Sequence, residues 1–181
     1  MSSDRAGMRF TVAAVFLILH GYMGCGPDHW QTWLAGQLRV KGERVAYPDL
    51  PDPEHPRRAA WRAAFADAIE DGATVIAHSL ACLVWLDHCA DPVCAARPER
   101  VLLVAPPSRA GAPDALAEFF PVPLDAGNRD EYFLDLGATA FAHEVEKAGA
   151  TCTLELFDGT HAGLTYRYPG AIRELVLALA P

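Results

Sequence analysis

The sequence predicts a doubly wound, three-layer α/β domain on about six mostly parallel strands. Short apolar, β-branched runs alternate with helical patterns along the whole chain, and that order implies βαβ crossovers and a parallel sheet. Several of the runs lack polar alternation, as expected of strands covered on both faces. The 181 residues are 51% hydrophobic and 21% charged, enough to bury one sizeable core and too apolar for a disordered chain.

The first strand is Ala14–Leu19 (AVFLIL), followed by a helix over His29–Lys41. Arg44–Tyr47 gives the second strand, and a Pro-rich stretch, Pro48–Pro56, leads into a helix over Pro56–Glu70. The third strand, Ala73–Ala77 (ATVIA), runs straight into a helix over Leu80–Ala90. Val101–Ala105 (VLLVA) is the fourth strand, and Pro113–Phe119 adds a short helical turn. Strands over Val122–Ala126 and Thr151–Phe157 and helices over Leu136–Ala148 and Tyr168–Ala178 complete the pattern. No repeat or low-complexity linker divides it, so residues 1–181 read as one domain with residues 1–10 as an N-terminal tail.

Arg5 and Arg9 precede the apolar run Thr11–Leu19, and Cys25 follows Gly24, which imitates a lipoprotein or secretory signal. The run is too short to span a bilayer, which takes roughly 20 apolar residues. A buried first strand is the reading adopted, because cleavage near Cys25 would remove both that strand and the glycine-rich loop after it.

Lys and Arg total 15 against 23 Asp and Glu, a formal net charge of −8. That field repels phosphate backbones and anionic lipid, so neither nucleic acid nor a membrane surface is expected as a partner. Five cysteines at irregular spacing, with no C-x-x-C, argue against a disulfide framework or structural zinc and fit a reducing, cytoplasmic compartment. No H-E-x-x-H or facial triad is present, so no metal is expected.

In open parallel sheets the ligand crevice lies beyond the carboxyl ends of the strands. Reading those ends in order gives His20-Gly21, Asp49, His78-Ser79, Pro106-Pro107, Asp130 and His161. A Ser, an Asp and a His each follow a different strand, in that chain order. In Ala77-His78-Ser79-Leu80-Ala81 a strand enters a helix through a turn whose flanking residues are small, the requirement for lifting a serine above a sheet. Both positions usually taken by glycine are Ala here. Ser79 is therefore the candidate nucleophile, with a helix N-cap as the alternative role.

A serine needs an adjacent base. His78, its chain neighbour, should point away and pack, whereas His161 follows the last strand in a loop flanked by Gly159 and Gly163. Its imidazole can take the serine proton and return it to a leaving group. Asp130 is the candidate for holding His161 in the right tautomer, with Asp125 and Asp158 as rivals. The oxyanion needs fixed N–H donors. Leu80 N–H follows the nucleophile, and Tyr22 N–H, or Met23 N–H, stands in the loop after the first strand. His20, Gly21 and Met23 of that loop are expected to line the substrate.

These residues resemble the α/β-hydrolase superfamily, and more narrowly the small serine hydrolases of the retinoblastoma-binding-protein-9 and YdeN type. The likeness rests on His20-Gly21, Gly26-Pro-Asp-His-Trp-Gln-Thr-Trp-Leu34, Tyr47-Pro-Asp-Leu-Pro51, Ala77-His-Ser-Leu80 and Val104-Ala-Pro-Pro107, and covers roughly residues 14–126. Asp130-Glu131-Tyr132 matches the family's Asp-Pro-Tyr stretch at its first and third positions, and Gly159-Thr160-His161 carries one residue more than its Gly-His segment. Ala81 departs from the family's glycine. The resemblance implies a fold without a large lid, no cofactor, and hydrolysis of a small-molecule carboxylic ester or thioester through an acyl-enzyme. A non-catalytic binding protein on the same fold and an acyltransferase using the same serine are the alternatives.

Of the other residues, Trp30 and Trp33 are expected in the core. Arg57, Arg58 and Arg62 read as a basic face, solvated or paired with Asp67 and Glu70. Cys82 reads as packing.

Overall fold

The computed structural model describes residues 15–90, 96–107 and 112–120, together with Lys147. In order these form β1 (Val15–Leu19), α1 (Trp30–Val40), β2 (Arg44–Ala46), α2 (Arg58–Ala68), β3 (Thr74–His78), α3 (Leu80–Ala90), β4 (Arg100–Val104) and a 3₁₀ turn at Asp114–Phe119. The strands pair in the order β2-β1-β3-β4, and every pairing is parallel. The expected strands Val122–Ala126 and Thr151–Phe157 and the helices Leu136–Ala148 and Tyr168–Ala178 lie outside the described residues.

Alternate residues of each strand face opposite layers. Phe16, Ile18, Ile76 and Val104 pack with Trp30, Leu34, Ala35 and Leu38 of α1. Leu17, Leu19, Val75 and Ala77 pack on the other side with Trp61 and Phe65 of α2 and with the buried start of α3. Both faces are covered by helices, which is why β1 and β3 are apolar at consecutive positions rather than at every second one. Val15–Leu19 of the candidate signal segment is thus a central strand, buried throughout between β2 and β3.

The helix ends have local causes. The His29 Nδ1 accepts the Gln31 N–H at the start of α1, and Gly42, at φ 85°, supplies the left-handed residue just past its end. The α2 helix is shorter than Pro56–Glu70, because Ile69 leaves helical geometry and Glu70 turns to pair with Arg44. The basic face is likewise corrected. Arg58 forms a two-point ion pair with Asp87 of α3, and Arg57 approaches Glu118, so these arginines tie elements together instead of pairing along their own helix.

The order β2-β1-β3-β4 contains a reversal. From β1 the chain passes to β2 on one side, then returns to place β3 on the other. A crevice opens at such a switch point, beyond the carboxyl ends of the two strands that flank it. Those ends are His20-Gly21 after β1 and His78-Ser79 at the end of β3, brought level by the pairing of Leu19 with Ala77.

Candidate functional site

Ser79 stands alone between β3 and α3 with φ 52°, in the left-handed region that a residue with a Cβ rarely adopts. An N-capping serine has an extended backbone, so the geometry departs from the N-cap alternative and matches a sharp strand-to-helix turn. Such a conformation costs on the order of 1–3 kcal/mol and persists only where its surroundings hold it. Here the Ser79 N–H donates to the Val104 carbonyl at 2.9 Å, and the Ser79 carbonyl accepts the Cys82 N–H at 2.9 Å. Ala77 and Ala81 on either side are completely buried. A methyl group is therefore small enough at both flanking positions for the turn to close.

Gly21 closes the other side. A Cβ built on it would lie 2.7 Å from the Ser79 Cβ and 3.3 Å from the Ser79 Oγ. Only a bare backbone fits this close to the hydroxyl.

The loop from His20 to Gly26 is braced against the Pro-rich segment after β2. The His20 Nε2 accepts the Leu50 N–H at 2.9 Å, which puts the ring proton on Nδ1, and Nδ1 lies 2.9 Å from the Gly21 carbonyl. Both ring nitrogens are engaged within the protein and the ring is buried against Trp61. His20, expected to line the substrate, thus ties the loop to the Pro-rich segment. Trp61 holds the Pro-rich segment from below, its indole N–H donating to the Pro51 carbonyl at 2.7 Å.

Met23 has φ 67°, and its N–H donates to the Pro53 carbonyl at 2.9 Å. That bond engages the Met23 N–H within the protein. Met23 is 61% exposed, at the rim of the loop. The Tyr22 N–H makes no such bond among the described residues, and Leu80 N–H, at the first position of α3, is one of the helix donors without an intrahelical acceptor.

His78 points into the α1 side of the sheet, its ring 5.2 Å from His29 and 5.6 Å from Trp30. This is the packing role expected of it. Burial, and the nearby His20, lower the pKa of His29. Cys82 sits beneath the turn with its thiol directed at the Ala77 and Val104 carbonyls, and burial pushes its pKa up to about 12, so it is a protonated packing group.

Sequence reasoning missed Gln31. It is fully buried, and its carboxamide donates to the Leu19 carbonyl at 2.8 Å while accepting from the Cys25 thiol at 3.1 Å. The signal was available: a carboxamide interrupts the apolar stripe Trp30, Leu34, Ala35, Leu38. Among the described residues, no group of three or more His, Cys, Asp or Glu could hold a metal, and no helix is long and apolar enough to cross a membrane. His161 and Asp130, with the rival carboxylates Asp125 and Asp158, lie outside the described residues.

The chain shows three likenesses to known proteins. YdeN of Bacillus subtilis (strain 168), which carries the name of a hydrolase, is 30% identical over 77 residues, 39% of this chain and 40% of YdeN. The chain's match thus spans less than half of that relative. The crystal structure of the ydeN gene product from B. subtilis aligns with a TM-score of 0.49 at 24% identity, covering 62% of this chain and 63% of the other. The sequence model described as "Serine hydrolase" matches residues 16–130, from the first strand through the serine turn and well beyond it. Most of the chain falls within that match, and the protein belongs to the serine hydrolase family.

Proposed function

We propose that this protein hydrolyses a small carboxylic ester or thioester through an acyl-enzyme on Ser79. The Ser79 Oγ attacks the acyl carbonyl as His161 takes its proton. Tyr22 N–H and Leu80 N–H receive the oxyanion of the tetrahedral intermediate. Collapse breaks the bond to the alcohol or thiol, which leaves with the proton from His161. Water, deprotonated by the same imidazole, then attacks the acyl-enzyme and releases the acid. Asp130 orients His161 and stabilises the imidazolium. Gly21 and Met23 border the acyl group, and the chemistry calls for no cofactor.

The observation that carries this reading is the left-handed Ser79 at the switch point, with Gly21 bare against its hydroxyl. A serine serving only the fold gains nothing from that strain, whereas a nucleophile is held above the sheet by it. Membership of the serine hydrolase family points the same way.

The test is intact mass after incubation with a fluorophosphonate, for the wild type and Ser79→Ala. One adduct on the wild type, absent from the variant, is the expected result. A folded wild type that stays unlabelled removes the reading. Parallel assays with p-nitrophenyl and thioester substrates, with product analysis in the presence of an added alcohol, separate hydrolysis from acyl transfer.

A further inference from the structure

We infer that Gln31 is a positioning residue for the oxyanion-binding loop, acting through a relay from its carboxamide to the Cys25 thiol. The inference rests on the proposed hydrolase reading and deepens it.

The loop between β1 and α1 is intrinsically loose. Gly21, Gly24 and Gly26 lower its stiffness, while Met23 and Gly24 both sit at positive φ. An N–H that must meet an oxyanion within a few tenths of an ångström needs such a loop held from more than one side. The outer side is held by the Pro-rich segment through Leu50 and Pro53. On the inner side the Gln31 side chain reaches in from the first turn of α1.

Its orientation is determined by its neighbours. The Leu19 carbonyl can only accept, so the carboxamide nitrogen faces it, and the oxygen is left to face the Cys25 thiol as donor. One side chain thus joins the last residue of β1, directly before His20-Gly21, to the far limb of the loop. Burial raises the Cys25 pKa, which keeps the thiol protonated and able to donate. Gln31 therefore ties both limbs of the loop, Leu19 at its start and Cys25 on its far side, to the first turn of α1. Core packing alone does not ask for a carboxamide here. A fully buried amide carries a desolvation cost that an apolar side chain of the same length avoids.

The test compares Gln31→Met, Cys25→Ala and Cys25→Ser with the wild type, with rates normalised to the fraction of active sites titrated by a fluorophosphonate. The readouts are kcat and KM for p-nitrophenyl acetate and the inhibition constant of a trifluoromethyl ketone, which forms a tetrahedral adduct on the serine. Gln31→Met is expected to lower kcat about tenfold, with KM within about twofold, and to weaken the ketone by a similar factor. Cys25→Ala should move both in the same direction by a few-fold, and Cys25→Ser, whose hydroxyl can donate to the same oxygen, should restore them. A general loss of stability would change the titrated fraction and leave these normalised constants alone.

Folded Gln31→Met with wild-type kcat and ketone affinity overturns the inference. If that variant does not fold, Cys25→Ala decides, and wild-type constants there overturn it equally. A wild type with neither turnover nor labelling brings down the hydrolase reading and the inference with it, an outcome distinct from active enzyme with indifferent variants.

Discussion

Gly21 and Ser79 meet across the junction of β1 and β3 with no room for one further carbon atom: a methyl on Gly21 would sit 2.7 Å from the serine Cβ. Neither neighbour is a flexible chain end, because the obstructing atom is one bond from the backbone of a residue already held at φ 52°. We predict that Gly21→Ala displaces the serine turn and lowers the rate of fluorophosphonate labelling by at least about a hundredfold, a loss of more than ~2.7 kcal/mol in transition-state stabilisation. Labelling within a few-fold of wild type would show that the loop yields without cost.

The same loop depends on His20 for an acceptor. We predict that His20→Ala leaves the Leu50 N–H without its partner and lowers unfolding stability by about 1–3 kcal/mol, the cost of orphaning a buried polar group. Urea unfolding reads this directly. His20→Asn, with a shorter acceptor, should recover part of it at most.

Much of this arrangement is legible in the sequence. The runs AVFLIL and ATVIA are apolar on both faces because α1 covers one side of the sheet and α2 and α3 the other, so periodicity alone gives a doubly covered sheet. Small residues around Ser79 give the turn. What the sequence does not convey is which polar atoms meet. His20 reads as a substrate contact because it stands at a strand end, yet its partner is a backbone N–H thirty residues away. Arg58 reads as part of a solvated face, yet its carboxylate is on the next helix. Local spacing carries no information on either distance. Tyr22 N–H reads ahead of Met23 N–H as a donor in sequence, and the Pro53 carbonyl that engages Met23 N–H is not visible there.

The Arg58–Asp87 pair is a clean case of such a long-range tie. Asp87 is only 10% exposed at its side chain and receives two guanidinium N–H groups. We predict that Asp87→Ala destabilises the fold by about 1–3 kcal/mol, less than for a fully buried pair because Arg58 retains access to water. Thermal unfolding should report a lowered midpoint, with labelling at Ser79 unchanged at temperatures well below it.

His29 gives a pH prediction whose sign follows from burial. Its folded pKa lies below the ordinary value of 6.5, chiefly through desolvation and then through repulsion from His20. As pH falls through 6.5 the unfolded chain binds a proton that the folded protein resists, so stability declines from there down to the folded pKa. Around the His29 ring stand Trp30 and His78, and among the described residues no carboxylate raises its pKa in compensation. His29→Asn keeps a side-chain acceptor for the helix start and removes the titration. Urea unfolding free energies between pH 5 and pH 7 should fall less steeply for the variant than for the wild type.

The strand order has a consequence for when the protein becomes reactive. Leu19 and Ala77 are neighbours in the sheet but distant along the chain, and contacts of that kind form late because a long loop must first be closed. Until β1 docks beside β3, Gly21 is not against Ser79 and one wall of the serine turn is missing. Synthesis also delivers β1, β2 and their helices before the serine turn emerges. The prediction is that fluorophosphonate reactivity during refolding rises together with the burial of Trp30 and Trp61, never ahead of it. Partly folded chains would then carry an inert hydroxyl, and proofreading of the fold would be built into the assembly of its own nucleophile.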